Sequence, residues 1–327
     1  MIQDIIGYDK IEDNLWQNFL QDKLHHCNLI TGIKGNGKAI FIKEFAKKII
    51  SHSHQSGVIT INHPDILLIE GKSNKKNTDE KILIDDIRQI NNFTNLSSAI
   101  SKNKIIIIDA IDNMNKNAYN ALLKTIEEPN KNIFIFLINH NIGNIPQTIK
   151  SRSNIIKIKN LNFNHWSQII KNNLNEISEE EINNLHLIAA NSIGEAILLH
   201  QNNWLDIYKN IILSLILSNE LEIINFCEKI AITKINFDFF IKIINFLFLR
   251  IVKISSLKKI DLILSEESLI QSKIFNMEKV FFTQDKILHF INDMNIFHLD
   301  QKYSMLNILL LIKLNLNNYV DHAKANI

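Results

Sequence analysis

The sequence predicts an α/β domain followed by all-α domains, and three observations favour this class. All three prolines (Pro64, Pro129 and Pro146) and seven of the eight glycines lie before residue 147. The later tract of about 180 residues has apolar residues at helical spacing, which predicts helices and little else. Five short, continuous apolar runs in the first half are typical of buried parallel strands.

The predicted strands alternate with predicted helices, as a parallel sheet requires. Strands are expected at residues 29–30, 66–69, 105–108, 133–138 and 155–158. Helices are expected at residues 40–49, 84–93 and 116–128, and the last of these ends before Pro129 because proline cannot continue a helix. The polar segment 71–80 is expected to be a flexible loop.

Composition is that of an ordinary globular protein of 327 residues, 46% hydrophobic and 21% charged. A formal net charge of +2 lacks the footprint of a protein that binds DNA alone. Two cysteines, Cys27 and Cys227, are too few for a disulfide scaffold and fit a reducing compartment. The longest apolar stretch, 237–254, is interrupted by charges, and no signal peptide is recognisable. We therefore expect a cytoplasmic protein without a membrane segment.

The segment GIKGNGKA, residues 32 to 39, has the form of a phosphate-binding loop between a strand and a helix. Lys38 would place a positive charge beside phosphate, and three glycines would let backbone N–H groups surround it: Gly32, Gly35 and Gly37. Active loops end in a serine or threonine that binds magnesium, whereas Ala39 has no oxygen. An ordinary glycine-rich turn is the alternative, and it would not explain the order of strand, loop, lysine and helix.

A second degenerate motif follows the predicted strand at 105–108. Asp109 stands where nucleotide hydrolases carry the aspartate that supports magnesium. The next residue in such enzymes is acidic and orients the attacking water, but Ala110 can neither accept a proton nor hold water. An aspartate after an apolar run is common by chance, so its meaning depends on the phosphate loop before it.

Further stretches resemble the bacterial clamp-loader family, the AAA+ proteins that open the sliding clamp for DNA polymerase III. The most specific are NALLKTIEEP at 120–129 and IKSRS at 149–153; others are LHHCNL at 24–29, INHPDI at 61–66 and IDDIR at 84–88. The resemblance covers roughly residues 5 to 200. It implies an AAA+ domain with a five-stranded parallel sheet at 1–160, a three-helix lid at 161–206 and a helical collar for oligomerisation at 207–327.

Within the family, the degenerate positions are most similar to the delta-prime branch, which holds the pentamer together without hydrolysing ATP. Gly194, in NSIGEA at 191–196, stands where an ATP-using subunit carries a phosphate-reading arginine. Asn139 occupies what resembles the first sensor position, with local hydrogen bonding as its alternative role. The resemblance implies that no cofactor is required, although the glycines and Lys38 leave room for ATP or ADP to bind without turnover.

The triplet Ser151, Arg152 and Ser153 resembles the family's Ser-Arg-Cys motif, with Ser153 in the place of the cysteine. The resemblance implies that Arg152 is an arginine finger, the one catalytic group, acting in trans on the ATP of a gamma or tau neighbour. It also implies a delta partner, with the sliding clamp and primer-template DNA reached through the assembly. The alternative is a surface arginine, or one paired with a carboxylate of its own domain.

Two other possibilities remain open from the sequence. The chain could be an active motor subunit of the gamma or tau kind, with Lys38 and Asp109 sufficient for hydrolysis. Nothing resembles a nucleotidyl-transfer site, so any polymerase activity would belong to the DNA polymerase III holoenzyme. We expect no metal site, because residues 50–65 contain no cysteine and the histidine spacing there matches no familiar zinc pattern: His52, His54 and His63.

Overall fold

A computed structural model describes residues 7–53, 60–73, 80–95, 100–127, 132–174, 176–216, 220–232, 237–256, 262–271, 275–297 and 299–317. The chain forms two compact units. One comprises Met1–Ser178 with Asn191–Glu195, and the other comprises Glu179–Ala190 with Ala196–Ile327. The division into three domains at residues 160 and 206 stays a prediction.

The first unit is built on a parallel sheet of five strands in the order β2-β5-β6-β1-β7. Leu29 of the first strand pairs with Leu137 on one side and Ile155 on the other. The strands in the described residues are β1 Cys27–Thr31, β2 Ile66–Ile69, β3 Lys72–Ser73, β4 Glu80–Lys81, β5 Lys104–Ile108, β6 Ile133–Asn139 and β7 Asn154–Lys157. All five strands predicted from apolar runs are confirmed. β1 and β5 are buried throughout, as strands covered on both faces are, whereas the edge strand β7 is mostly exposed.

The expectation of a loop at 71–80 was wrong at both of its ends. β3 and β4 form an antiparallel pair in which Lys72 lies opposite Lys81 and Ser73 lies opposite Glu80. Residues 74–79, between them, lie outside the described residues. Backbone pairing requires no apolar side chain, so a polar sequence gives no signal of so short a ladder.

Helices cover both faces of the sheet and bury two separate cores. On one face Leu29 packs in a cluster with Ile87 and Leu122, and on the other Ile30 packs in a cluster with Phe41 and Phe45. The helices of this part are α1 Asp9–Leu20, α2 Lys38–Ser53, α3 Ile84–Asn95, α4 Lys116–Glu127, α5 Gln147–Lys150 and α6 Phe163–Asn173. The alternation of neighbouring β1 residues between the two cores fixes the register of that strand.

From residue 163 onward every regular element in the described residues is a helix. The remaining helices are α7 Glu179–Ala189, α8 Ile193–Gln201, α9 Trp204–Ile216, α10 Glu220–Ile232, α11 Phe237–Ser256, α12 Glu267–Gln271, α13 Met277–Phe297 and α14 Gln301–Asn317. α11 buries Phe240, Ile243 and Leu247, as the apolar spacing predicts. None of the described helices combines the length and apolarity needed to cross a bilayer. The predicted fold class, an α/β domain with a parallel five-stranded sheet followed by helices, is confirmed.

Candidate functional site

The phosphate loop connects the end of β1 to the start of α2, as the sequence predicts. Lys38 is the first residue of α2. Gly35 and Gly37 have φ angles of 80° and 92°, in the left-handed region that side chains disfavour. Both glycines are therefore required by the path of the backbone, and Gly37 has open space where a Cβ atom would lie.

The Lys38 ammonium group is engaged by its own loop. Lys38 is 3% exposed, and its Nζ donates hydrogen bonds to the carbonyl oxygens of Gly32 and Ile33, at 2.7 and 2.6 Å. Burial lowers the pKa of Lys38 to about 8, and the nearby carboxylates of Asp109 and Asp112 partly oppose this. The charge that would bind phosphate is thus occupied by backbone oxygens.

Gly194 lies directly against the phosphate loop. Its backbone N–H donates a hydrogen bond of 2.8 Å to the carbonyl oxygen of Gly35. A Cβ atom on Gly194 would lie 3.3 Å from the Gly35 Cα atom, and one on Gly35 would collide with Ser192 Oγ. The sequence predicts only that a phosphate-reading arginine is missing here, while the fold shows that two backbones meet at this point.

Tyr8 and Asn36 support the loop from the core, and neither role is predictable from the sequence pattern. The Tyr8 hydroxyl donates a 2.8 Å hydrogen bond to the Asn36 carbonyl oxygen, and its ring centroid lies 4.7 Å from that of Phe41. Asn36 is buried, and neither polar atom of its side chain has a partner within the described ranges.

Asp109 and Ala110 follow β5 at the edge where the phosphate loop lies. Burial raises the pKa of Asp109, with Lys43 opposing the shift and Glu70 adding to it. Ala110 has φ 60° and ψ 57°, a left-handed conformation that costs a residue with a Cβ atom roughly 1–2 kcal/mol. Ala110 therefore offers a methyl group on a strained backbone where hydrolases place an acid.

Asn139 and His140, at the end of β6, complete this edge of the sheet. The Asn139 side chain accepts a 3.1 Å bond from Thr31 Oγ1 and donates a 3.2 Å bond to the Asn141 carbonyl oxygen, which agrees with the local role. Sequence reasoning missed His140. Its backbone N–H donates to Asp112 Oδ1, and its buried Nδ1 has no partner in the part of the chain that is described. Burial lowers the pKa of His140 to about 4.

The segment that carries Arg152 is held by side-chain contacts of the two residues that follow it. Ser153 Oγ donates a 2.8 Å bond to the Ile149 carbonyl oxygen and lies 3.2 Å from Cys27 Sγ. Asn154 Nδ2 donates a 3.1 Å bond to Asn28 Oδ1. Cys27 and Asn28, the first two residues of β1, thus contact the chain just after Arg152, and the Ser153 side chain is held within its own unit.

Arg152 itself lies on the surface, with 40% of its side chain exposed. Its Nε atom is 2.8 Å from Glu127 Oε1, and its Nη1 donates to the Thr148 carbonyl oxygen and Ser151 Oγ, at 3.2 and 3.3 Å. The pairing with a carboxylate of its own unit, left open by the sequence, is present. The guanidinium is nevertheless accessible.

The three histidines considered for zinc have separate surroundings. His52 packs edge-on against Trp16, with ring centroids 5.4 Å apart, and His63 Nδ1 accepts a 3.2 Å bond from the Asp65 backbone N–H. His54 lies outside the described residues. Within the described ranges, no group of three or more metal-binding side chains lies together.

Comparison with known proteins shows which proteins this chain is similar to in sequence. Residues 7–162 match the family model for DNA polymerase III, delta subunit. The gamma subunit from Buchnera aphidicola subsp. Baizongia pistaciae is 31% identical over 203 residues, covering 58% of this chain and 53% of that protein. The N-terminal half of this chain is similar in sequence to subunits of DNA polymerase III.

DNA polymerase III subunits of other kinds are also similar in sequence to this chain. The tau subunit of Bacillus subtilis is 29% identical, covering 55% of this chain and 32% of the relative. The delta-prime subunit of Pseudomonas aeruginosa is 27% identical, covering 42% and 46%. The chain spans about half the length, or less, of these relatives. A gamma subunit-related protein of Thermotoga maritima superposes with a TM-score of 0.48 at 18% identity, over 94% of this chain and 98% of that one.

Proposed function

We propose that this chain is a non-hydrolysing, delta-prime-like subunit of the DNA polymerase III clamp loader. The observation that carries the proposal is the contact between Gly194 and Gly35, where a phosphate-reading arginine would be required for ATP use. Ala39 removes the hydroxyl that would bind magnesium, and Ala110 removes the acid that would orient water. Three independent contributions to phosphoryl transfer are missing from one site.

Arg152 supplies the catalytic group in this proposal, in trans to the ATP of a neighbouring gamma or tau subunit. A guanidinium is permanently charged and can bind two phosphate oxygens at once, which stabilises the charge of the transition state. The accessibility of Arg152 and the fixed backbone beneath it support this role. The ion pair with Glu127 is at the surface, so it contributes modestly to stability and leaves the guanidinium accessible.

The second candidate is an active motor subunit of the gamma or tau kind. Relatives with those names at 29–31% identity favour it, as do the retained Lys38 and Asp109. An ATPase assay on the isolated chain at saturating magnesium and ATP distinguishes the two. We expect no turnover above that of a Lys38→Ala variant, whereas appreciable turnover abolished by Lys38→Ala would establish the motor.

Nucleotide binding without turnover is compatible with the proposed function. Lys38 Nζ would have to exchange its two carbonyl partners for phosphate oxygens, and the loop N–H groups at the start of α2 would add donors. No hydroxyl at residue 39 is available to a magnesium ion. Titration with a fluorescent ADP analogue, with and without magnesium, tests this: binding at this loop should be indifferent to the metal and lost in Lys38→Ala.

The partners of the proposed function are gamma or tau subunits and delta, with the sliding clamp and primer-template DNA contacted through the assembly. The second unit supports assembly because α13 exposes several large apolar side chains: Phe281, Phe282, Leu288, Ile296 and Phe297. Exposed apolar surface of this kind is typical of protein interfaces. Co-purification with gamma and delta subunits of the same organism tests the partnership.

A further inference from the structure

Arg152 and Glu127 lie at the ends of two neighbouring helices. Glu127 is the last residue of α4, and Arg152 follows α5 by two positions. Their side chains are 40% and 44% exposed, so water reaches both. Glu127 belongs to a stretch that carries the family resemblance, but the sequence assigned it no role.

The contacts of Arg152 hold one side of its guanidinium and leave the other accessible. A guanidinium has five N–H donors. Nε faces Glu127 Oε1 at 2.8 Å, and Nη1 contacts the Thr148 carbonyl oxygen and Ser151 Oγ. Within the described residues, Nη2 makes no hydrogen bond or ion pair. Its two N–H groups are therefore available to an oxyanion while Nε stays held.

The backbones that carry the two residues are tied to the same segment before and within β1. His26 Nε2 lies 3.0 Å from the Ile126 carbonyl oxygen, next to Glu127. Cys27 Sγ lies 3.2 Å from Ser153 Oγ, next to Arg152. The fold thus sets the separation of Glu127 and Arg152, and the ion pair does not have to create it.

Helix α4 gains nothing from a carboxylate at this position. The C-terminal end of a helix carries a partial negative charge, so an acidic side chain there is slightly unfavourable. The Glu127 side chain is also 44% exposed and contributes little to packing. A purely structural reason for Glu127 is therefore weak.

We propose that Glu127 is a positioning residue for Arg152. It restricts the arginine to the orientation in which Nε is paired and Nη2 makes no contact within the described residues, so less rotamer freedom is lost when phosphate is bound. The inference rests on the proposed function of Arg152. Since exposed ion pairs contribute modestly, Glu127→Ala should lower turnover at the ATP site served by Arg152 roughly two- to fivefold, whereas Arg152→Ala should lower it roughly 10³-fold.

The test is a double-mutant cycle in a clamp loader assembled from the full chain with gamma and delta subunits of its organism. DNA-stimulated ATPase is measured for the wild type, Glu127→Ala, Arg152→Ala and the double variant. Glu127→Gln keeps an oxygen acceptor for Nε and should recover most of the loss. The matched control is Asp85→Ala, which removes an exposed carboxylate 2.7 Å from Nη1 of another exposed arginine, Arg88.

A second readout uses the isolated chain and does not depend on the partners. The sequence has three arginines, Arg88, Arg152 and Arg250, so labelling with ¹⁵N-arginine gives three Nε–H signals. Glu127→Ala should shift the Arg152 signal and speed its exchange with water, while Asp85→Ala should not. Thermal unfolding should be unchanged, because neither variant disturbs the core.

The outcomes separate the inference from the function on which it rests. A loss in Glu127→Ala that disappears in the Arg152→Ala background supports positioning. An unchanged rate in Arg152→Ala overturns the proposed function itself. A lowered rate in Arg152→Ala with none in Glu127→Ala overturns the inference alone. Three other results would also overturn the inference alone. They are a loss in Glu127→Ala that persists in the Arg152→Ala background, an equal loss in the Asp85→Ala control, and a Glu127→Gln variant as slow as Glu127→Ala.

Discussion

The N–H group of Gly194 donates a 2.8 Å hydrogen bond to the carbonyl oxygen of Gly35 in the phosphate loop. The first turn of α8 thereby meets the loop through backbone atoms alone. A side chain on either glycine would crowd this contact, because its Cβ atom would approach the other backbone to 3.3 Å. Close approach of backbone is a common reason for glycine in proteins.

Gly35→Ala should destabilise the protein by about 1–2 kcal/mol, since φ is positive there and the new methyl group would meet Ser192 Oγ. Gly37→Ala is the matched control: φ is 92°, but no atom lies within 4 Å of the added carbon. Urea unfolding of both variants measures the difference. Equal losses in the two variants would contradict the close contact between the loop and residues 192–194.

A buried ion pair in the second unit should make its stability sensitive to the loss of one partner. Arg250 donates from Nε and Nη2 to the two carboxylate oxygens of Glu267, at 2.8 and 2.6 Å, and both residues are buried. The Tyr208 hydroxyl and the Ile263 backbone N–H also donate to this carboxylate. The carboxylate thus joins α9, α11 and α12.

Arg250→Ala should cost about 3–5 kcal/mol, because it leaves the Glu267 carboxylate buried without its charge partner. Lys302→Ala, which breaks an exposed pair with Glu228, should cost less than about 1 kcal/mol. Chemical denaturation with far-UV circular dichroism gives both values. Replacing both residues of the buried pair, as Arg250→Met with Glu267→Leu, should recover part of the loss. A loss in Arg250→Ala as small as that of the control would show that water enters this network.

His140 should make the protein sensitive to acid. Burial, Lys38 and Lys34 lower its folded-state pKa to about 4, while Asp112 opposes the shift. The unfolded chain, with an ordinary pKa near 6.5, therefore binds more protons between these values. The stability contributed by neutral His140 is complete above about pH 6.5 and is lost as pH falls towards 4.

His140→Gln should therefore lose less stability than the wild type between pH 7 and pH 5, as measured by urea unfolding at both values. Part of the sensitivity should remain, because burial lowers the pKa of His26 as well. Replacement of the exposed His289 by glutamine is the control and should follow the wild type. A His140→Gln variant with unaltered acid sensitivity would show that this imidazole is hydrated in the folded state.

The sheet was predictable from the sequence, while the contacts that define the site were not. Runs such as 105–108 are apolar because both faces of the strand are covered, and this is a local property. The partners of Lys38 and Gly194 come from distant parts of the chain or from backbone oxygens, which leave no pattern in the sequence. The contacts of His140 and Glu127 likewise come from residues distant in the sequence. The Ser-Arg-Ser triplet singles out Arg152, and the sequence leaves open that it pairs with a carboxylate of its own unit, but it does not indicate that the partner is Glu127.

One measurement tests the central claim most directly, namely that this chain lends an arginine but uses no ATP itself. DNA-stimulated ATPase is compared for clamp loaders assembled with Arg152→Ala or with Lys38→Ala in this chain. We predict that Arg152→Ala removes the part of the ATPase rate that comes from the ATP site served by Arg152, and that Lys38→Ala leaves the rate unchanged. A rate lowered by Lys38→Ala and unaffected by Arg152→Ala would contradict the account and identify a motor subunit.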